Sequence, residues 1–494
     1  MINIEEMTVF CKKKGIAFLT SEIYGGFSGF YDFGPLGVEL KNNIKAALWK
    51  DFVQRRDDIV GMDGATISHP KVWQASGHVE SFLDPMVRCE KCKEQYRADS
   101  LIEDVLKIPT DGLDSKQMSE VIERHAISCP KCKGNLSSAT DFQLMFKTDV
   151  GPSEKAVTSY LRPETAQLIF TAFKNITDIA RVKLPFGIAQ TGKAFRNEIS
   201  PRDFLFRTRE FEQFEIEFFT HPKKHSCPSY DDIKEMKVNI LTTEHQEKNK
   251  DHVSHTIHNL VEKKIFKSKW HAYWVSAFYG WFLKHGIKAE NLRLREHMKD
   301  ELAHYANACF DIEYKFPFGW KEVHGNADRG DFDLNKHSEF SKKDFSLFDE
   351  ESKEKVLPVV SSEPSQGIER ALLAFLFDAF EDDKKRGNIV LHLHPRIAPT
   401  QIAVFPLVSN KPELFKLAAS IHKELQDHYT CAMDKSGSIG RRYARQDEVG
   451  TPFCVTVDFD SLDDKAVTVR DRDSTEQIRV KISELAGYLK EKLQ

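Results

Sequence analysis

The stretch RTREFEQFEIEFF, Arg207 to Phe219, decides how the rest of the chain is read. Taken as a strand, its side chains alternate between two faces, so Phe214, Ile216 and Phe218 share one side while Arg207, Arg209, Phe211, Gln213 and Glu215 share the other. The apolar trio predicts a surface turned to a core. The opposite face carries two guanidinium groups, a flat aromatic ring and a carboxylate, a set suited to triphosphate charge, a stacked purine and a bound ammonium group. By the same alternation Arg196 and Glu198 of Phe195-Arg196-Asn197-Glu198 face together on a preceding strand, and residues 186 to 220 read as two strands joined by a loop around Pro201 and Arg202. For any single pair of these charges, a sheet face laced with ion pairs is the competing reading, since such pairs are common and contribute little.

Upstream, Gly187 to Ala194 nearly spells a phosphate loop, but Ala194 has no hydroxyl for magnesium and no helix pattern follows. Tyr160 to Ile176 reads as a helix that starts near Pro163, with Ala166, Ile169, Phe170 and Phe173 on one face. Further out, Gly34-Pro35-Leu36-Gly37 opens a helix whose Leu40, Ile44, Ala47, Leu48 and Phe52 form one apolar face, to be buried in its own domain or against a second subunit. Downstream, a strand from Val356 to Ser362 leads through Pro364 to Gly367 and a helix with Ile368, Ala371, Leu372, Phe375, Leu376 and Ala379 inward. The polar segment Pro222 to Lys269 and the aromatic run Trp270 to Trp281 read as an inserted, mostly helical unit, in which His252, His255 and His258 line one helix edge as a solvated basic face. Beyond Pro395, apolar runs (Ile402 to Leu407, Thr451 to Val457, Ala466 to Val469) alternate with helical ones, which predicts an α/β domain of roughly 100 residues.

With 494 residues the chain suggests about three domains. Hydrophobic residues at 40% and charged residues at 30% exclude a disordered or fibrous chain. The longest apolar stretch, Ala371 to Phe377, is far short of the roughly 20 residues a membrane span needs. Met1 to Gly15 lacks an apolar export signal. A net charge of -4, from 71 basic and 75 acidic residues, excludes a uniformly basic coat and makes any nucleic-acid contact patchy. Nine cysteines include Cys89-x-x-Cys92 and Cys129-x-x-Cys132, which can supply four thiolates to one tetrahedral zinc. Four thiolates leave no open position, so that site is structural, and Cys11, Cys227, Cys309, Cys431 and Cys454 read as ordinary reduced residues. The expected compartment is reducing and cytoplasmic, with no membrane partner.

Phe195-Arg196-Asn197-Glu198 followed by Arg207-x-x-x-Phe211-x-x-x-Glu215 resembles motif 2 of the class II aminoacyl-tRNA synthetases. Gly367-Ile368-Glu369-Arg370 is similar to motif 3, and the helix after Gly34 resembles motif 1, a dimer-forming element. Arg162-Pro163-Glu164-Thr165-Ala166-Gln167, Glu363-Pro364-Ser365 and Asp328-Arg329-Gly330-Asp331-Phe332-Asp333-Leu334 narrow the resemblance to the homodimeric glycyl-tRNA synthetases. Residues 440 to 453 resemble that family's anticodon-binding domain. Two departures stand out: Gly325-Asn326-Ala327 where the family usually has Gly-Ile-Ala, in a loop before Arg329, and Gly330 where Thr or Ser is usual.

The resemblance implies an α+β fold: a class II catalytic domain with a mainly antiparallel sheet and helices, a zinc module and a helical insertion, and a C-terminal α/β anticodon-binding domain. Its expected parts are 1–88 (motif 1), a zinc-binding insertion at 89–140, 141–222 (motif 2), a helical insertion at 223–300, 301–395 (motif 3), and 396–494 for the anticodon. The implied activity is ATP-dependent activation of glycine and transfer of the glycyl group to tRNA(Gly). Arg196 is expected at the α-phosphate, Arg207 and Arg370 at the γ-phosphate, Glu198 at the adenine edge and Phe211 on its ring. Magnesium would bridge the phosphates with Glu363 near it. Glu164, Glu215, Glu363, Ser365 and Arg329 are expected around glycine, where crowded carboxylates also exclude a larger side chain. Arg441, Arg442 and Arg445 are expected on tRNA, and the basic segment with Lys248, Lys250, Lys263, Lys264, Lys267 and Lys269 serves either the acceptor end or solubility. A non-catalytic RNA-binding paralogue and a synthetase for another small amino acid are the rival readings.

Overall fold

A computed structural model describes residues 2–108, 110 and 112–493. Its centre is a nine-stranded sheet. In chain order the strands are β1 (Ile59–Met62), β2 (Phe186–Phe195), β3 (Glu210–Thr220), β4 (Lys237–Leu241), β5 (Val253–Thr256), β6 (Leu292–Glu296), β7 (Ala308–Phe316), β8 (Gly319–Asp328) and β9 (Val359–Gly367). Across the sheet they run β5-β4-β6-β7-β8-β9-β3-β2-β1, antiparallel except for the β1–β2 and β4–β6 pairs. On β3 the expected alternation holds: Phe214, Ile216 and Phe218 are fully buried on the core side.

Three helices cover that side: α1 (Pro35–Trp49), α3 (Lys269–Lys284) and α5 (Ile368–Ala379). Two more, α2 (Ala166–Ala180) and α4 (Phe332–Ser341), lie near the opposite face. Leu40, Ile44, Ala47 and Leu48 of α1 are buried within the chain, and a π-turn at Lys50–Gln54 carries Phe52 inward as well. Proline at the first turn starts this helix without losing a hydrogen bond. Gly37 lets it approach closely, because a Cβ there would lie 1.7 Å from the carbonyl oxygen of Ile16.

Five expectations are corrected. Residues 223–300 are not a separate helical insertion: they supply β4, β5 and β6 to the main sheet, and their aromatic helix α3 is part of the central core. A helix with apolar side chains on all sides must be covered on all sides, and the consecutive residues Ala272, Tyr273, Trp274 and Val275, which point around the helix, are all buried. The three histidines consequently share no helix edge, since His255 lies in β5 and His258 in a short helix, Ile257–Glu262, while His252 precedes both. The second strand of the hairpin starts at Glu210 instead of Arg207, after a 3-10 turn at Phe204–Phe206 entered through left-handed Asp203 and Phe204. Arg209 therefore leaves the shared face and donates to the carbonyls of Glu198 and Ser28, while Arg196 and Glu198 lie just past the end of β2. Finally, β9 continues through Pro364 to Gly367, and Gly325-Asn326-Ala327 is part of β8 instead of a loop. Proline is rare in a central strand. Here the ladder to β3 is interrupted between Glu215↔Ser365 and Phe218↔Ser362, beside the missing N–H.

The cysteine pairs sit in a small module. Three strands, Leu83–Arg88, Gln95–Arg97 and Thr140–Gln143, and two helices, Ala98–Leu106 and Ser115–Arg124, enclose Val87, Leu101, Ile102, Met118 and Ile122. The module's sheet thus begins before Cys89 and ends after Thr140. C-terminal to Pro395, strands β10 (Ile402–Pro406), β11 (Cys431–Met433), β12 (Phe453–Val457), β13 (Ala466–Asp471) and β14 (Gln477–Lys481) form a separate sheet in the order β11-β10-β12-β13-β14. Helices α6 (Pro412–Gln426), α7 (Ile439–Asp447) and α8 (Ile482–Lys492) flank it.

Gly37→Ala should lower stability by about 1–3 kcal/mol, because backbone must move to admit the methyl group. Thermal unfolding measures this, and an unchanged midpoint would rule out the close approach of α1 to Ile16.

Candidate active site

The polar face of the sheet, across β3, β9 and β8, carries two adjoining sites of opposite charge. The first is a cavity of about 140 Å³ lined by Arg196, Glu198, Arg207, Phe211, Glu322 and Arg370 among others. The Arg196 guanidinium lies 5.3 Å from the Phe211 ring centre, and its Nε donates to the carbonyl of Pro163 at 3.0 Å. Arg370, at the start of α5, lies 4.6 Å from the Phe206 ring and donates to Glu322 Oε2 at 2.8 Å. Arg207 Nε stands 4.0 Å from Glu198 Oε2. Burial pulls Arg207 below its ordinary value; Glu198 opposes this, and the guanidiniums of Arg97, Arg202 and Arg370 add to it. Three guanidiniums and three carboxylates line the cavity, and with Glu369 held by Lys41 at 2.6 Å the balance favours an anion, to which Phe211 and Phe206 offer flat walls.

The second site is acidic. Glu215 on β3 accepts from the Thr165 backbone N–H at 3.0 Å and the Thr165 hydroxyl, and its other oxygen accepts from Gln213 at 3.0 Å and Ser365 at 2.7 Å. Burial and the neighbouring Glu164 push Glu215 upward. Glu164 lies 3.4 Å from His78 Nε2. Burial pushes Glu164 up too, but His78, Arg329 and Arg196 outweigh it and hold the carboxylate far below its usual range. Glu363 on β9 accepts from Arg329 Nη1 at 2.6 Å. Even so, burial together with Glu215 and Glu164 pushes it up to about 8.

Arg329, expected around glycine, is itself 1% exposed and spent. It forks onto Asp333 at 2.7 and 2.9 Å, lies 3.7 Å from the Tyr305 ring, and reaches the acidic site through Glu363. The glycine at 330 suits its position, with φ at +61° and Asn307 so close that a Cβ would sit 2.8 Å from its side-chain nitrogen. Glu363, expected near magnesium, does not line the phosphate-sized cavity; the carboxylates that do are Glu198, Glu322 and Glu369. Glu369 is tied to Lys41 at 2.6 Å, outside the cavity lining, and to the Glu212 N–H, whereas Glu322 and Glu198 face the cavity's own Arg370 and Arg207 and could exchange those partners for a cation.

The sequence pattern assigned no role to Glu322, Phe206, Tyr305, Glu217 or, although it lies in the motif around Arg329, Asp333. Period two reaches Glu217 from Glu215, and a helical i, i+4 spacing reaches Asp333 from Arg329. Glu322 needed the register of β8 against β9, which no local pattern encodes. The near phosphate loop is absent in fact: Gly187 to Ala194 lie within β2.

Elsewhere, the four module cysteines bring their sulfurs within 4.8 Å of one another, with Cys89–Cys132 at 3.5 Å and Cys92–Cys129 at 3.6 Å. Tetrahedral zinc with bonds of 2.3 Å separates its sulfurs by about 3.8 Å, so the donor set and spacing fit that ion. A second group, His297, Cys309 and Asp311, is also compact, but His297 already bonds Asp311 at 2.7 Å and Arg295 stands 4.0 Å from that carboxylate as its cation. On α7 the three arginines diverge. Arg441 and Arg445 are exposed on one side, four residues apart, with Arg445 held by Asp434. Arg442 turns inward, is 2% exposed and donates to the carbonyls of Pro406, Leu407 and Gly437, so it holds the domain together and is not available to RNA.

This sheet and its paired sites define a class II tRNA synthetase core. The family model described as the tRNA synthetase class II core domain (G, H, P, S and T) matches residues 146–377, and the anticodon binding domain model matches residues 401–492. Among similar proteins are the glycine–tRNA ligases of Caldanaerobacter subterraneus subsp. tengcongensis, 45% identical over all of this chain and 99% of the relative, and of Bacillus thuringiensis subsp. konkukian, 44% identical over the whole of both. The glycine–tRNA ligase of Acetivibrio thermocellus is 46% identical over 99% of this chain and 98% of its own. The chain belongs to the glycine–tRNA ligase family of the class II aminoacyl-tRNA synthetases.

Arg442→Ala should destabilise the C-terminal domain by about 1.5–3 kcal/mol through lost charge-assisted hydrogen bonds to carbonyls, whereas Arg441→Ala should leave unfolding unchanged. Equal effects of the two on thermal unfolding would contradict the inward placement of Arg442.

Proposed function

We propose that this chain activates glycine with ATP to glycyl-adenylate and then transfers the glycyl group to the terminal ribose of tRNA(Gly). The observation that carries the reading is the juxtaposition on one sheet face of a cationic, aromatic-walled cavity and a carboxylate-lined pit. The nucleophile, the carboxylate of glycine, is already ionised, so its attack on the α-phosphorus needs no general base. Positioning and charge stabilisation supply the catalysis.

In this reading Arg196 steadies the α-phosphate and Phe211 stacks on adenine, a ring sandwiched against the Arg370 side. Glu198 reads the adenine edge, and Arg207 and Arg370 hold the γ-phosphate. Magnesium, when bound, neutralises phosphate charge, and Glu322 would hold it. Glu164 and Glu215 receive the substrate ammonium, while Ser365 and Gln213 fix Glu215 by hydrogen bonds. Such a filled polar pit penalises a larger amino acid beyond the about 1–3 kcal/mol that one extra methylene usually changes. On α7, exposed Arg441 is free to meet tRNA, and Arg445, exposed beside it, would do so from its ion pair with Asp434. The non-catalytic alternative would be favoured by loss of the phosphate-handling guanidiniums, and all three are in place around the cavity.

The same reading makes the protein a cytoplasmic homodimer with a structural zinc. Exposed Ile23 and Tyr24, each 86% accessible, and Phe27 lie on the glycine-rich segment before α1 and supply an apolar surface for a second subunit. All nine cysteines are free, in keeping with a reducing compartment.

Glycine-dependent exchange of pyrophosphate into ATP tests the activity; better exchange with alanine or serine overturns the substrate, and no exchange with any amino acid favours the paralogue. Glu215→Gln should raise the KM for glycine about tenfold to a hundredfold with little change for ATP, as expected for loss of a charged hydrogen-bond partner. An unaltered glycine KM would remove Glu215 from the pit. Metal analysis should find about one zinc per chain, lost with a fall in thermal midpoint in Cys129→Ser; a metal-free wild type of unchanged midpoint would refute the zinc assignment.

A further inference from the structure

Glu217 follows Glu215 by two residues on β3 and so shares its face. It is fully buried, and neither carboxylate oxygen has a hydrogen-bond partner. Burial without a partner is costly for an ionised carboxylate. The register Glu215↔Ser365 and Phe218↔Ser362 sets Glu363 directly across from it. On its other side β2 offers only Ile188. The charged groups that face Glu217 are Glu215 on its own strand, Glu363 on β9, and Arg329 and Asp333 at the junction of β8 and α4. The single guanidinium in that set is committed to Asp333 and to Glu363 Oε1. Two buried carboxylates opposed across a ladder, with one shared and already engaged cation, cannot both stay ionised.

We propose that Glu217 and Glu363 hold one proton between them, carried by Glu217 when glycine is bound, so that Glu217 donates a hydrogen bond to the Glu363 oxygen that Arg329 leaves free and presents Glu363 to the substrate ammonium as a carboxylate. Glu217 is then a positioning residue. Glycine enters as the ammonium form and no proton is released, because the one already in the pit moves to Glu217. Burial pushes both groups upward, joined by the charges of Glu363 and Glu215 at Glu217, which lies well above its ordinary value, and by those of Glu215 and Glu164 at Glu363, which reaches about 8, in keeping with a proton retained at neutral pH. The role assigned to Glu363 rests on the glycine reading of the pit; the shared proton does not.

The sign for stability follows. A carboxyl whose value is raised on folding contributes stability that is complete below about pH 4.5, the unfolded value, and is lost as pH rises through the folded one. Glu217→Gln keeps a neutral donor and removes this loss, so the thermal midpoint of the variant minus that of wild type should increase steadily from about pH 5 to 8. Infrared spectra of wild type at neutral pH should show a protonated-carboxyl band that is missing in Glu217→Gln. In pyrophosphate exchange, Glu217→Ala should raise the glycine KM about tenfold with the ATP KM unchanged, and Glu217→Gln should restore it to within about threefold of wild type. A midpoint difference that is flat with pH, no infrared band, or Glu217→Gln as damaging as Glu217→Ala would overturn the proposal. If Glu217→Ala does not fold, the comparison of wild type with Glu217→Gln still decides it. Failure of glycine-dependent exchange in wild type would instead strike the glycine reading, leaving the band and the midpoints to judge the proton.

Discussion

The structure depends on one strand being buried on both faces for opposite reasons. On β3, Phe214, Ile216 and Phe218 press into aromatic helix α3 and its neighbours, while Phe211, Gln213, Glu215 and Glu217 floor the site. A slip of one residue in register would place three carboxylate-bearing or polar side chains in an aromatic core and three apolar ones under the substrates. Every rung that fixes β3 between β2 and β9 therefore also fixes the chemistry. The apolar face supplies the cohesion, and the polar face is held rigid by it.

Along this strand the charge changes sign. Phe211, beside the guanidiniums, and Glu217, among the carboxylates, are six residues apart, or about 20 Å along an extended strand. Between them Gln213 bonds both Glu215 and Ser365 and belongs to the boundary of the two sites. A zwitterion whose ammonium is drawn to the carboxylate end turns its own carboxylate toward the cationic end, where the phosphates are expected. In the proposed placement of glycine, orientation would follow from the field of the floor, before any contact specific to the reacting atoms is made.

How much of this was legible depended on the range of the interactions involved. The alternation from Phe211 to Phe218, the α1 face and the spacing within each cysteine pair follow from patterns a few residues long, and there the sequence pattern matches the structure closely. The strands β4, β5 and β6 are only four or five residues long and carry Lys, His, Asn and Arg, so their place in the sheet comes from tertiary pairing that local pattern cannot express. Arg209 and Arg442 show a second limit. Each belongs to a cluster of arginines, yet each donates to backbone carbonyls, because a turn in one case and a step of about 100° around a helix in the other aims it away from its neighbours. Residue type suggested the chemistry, and orientation reassigned it.

The acidic pit carries this one step further. Glu164, Glu215, Glu217, Glu363 and Asp333 surround one buried arginine, and that arginine is consumed by two of them. An apolar pocket of the same size would accept glycine but would gain little by refusing alanine. Filling the space with carboxyl groups that already lean on Thr165, Ser365, Gln213 and Arg329 changes the balance, since a methyl group entering there must displace groups that cannot be left unpaired. With glycine seated in this pit, as proposed, selectivity for the smallest amino acid would come from electrostatic crowding, and the same crowding would make the protonation state of the innermost carboxyl part of the binding site's shape.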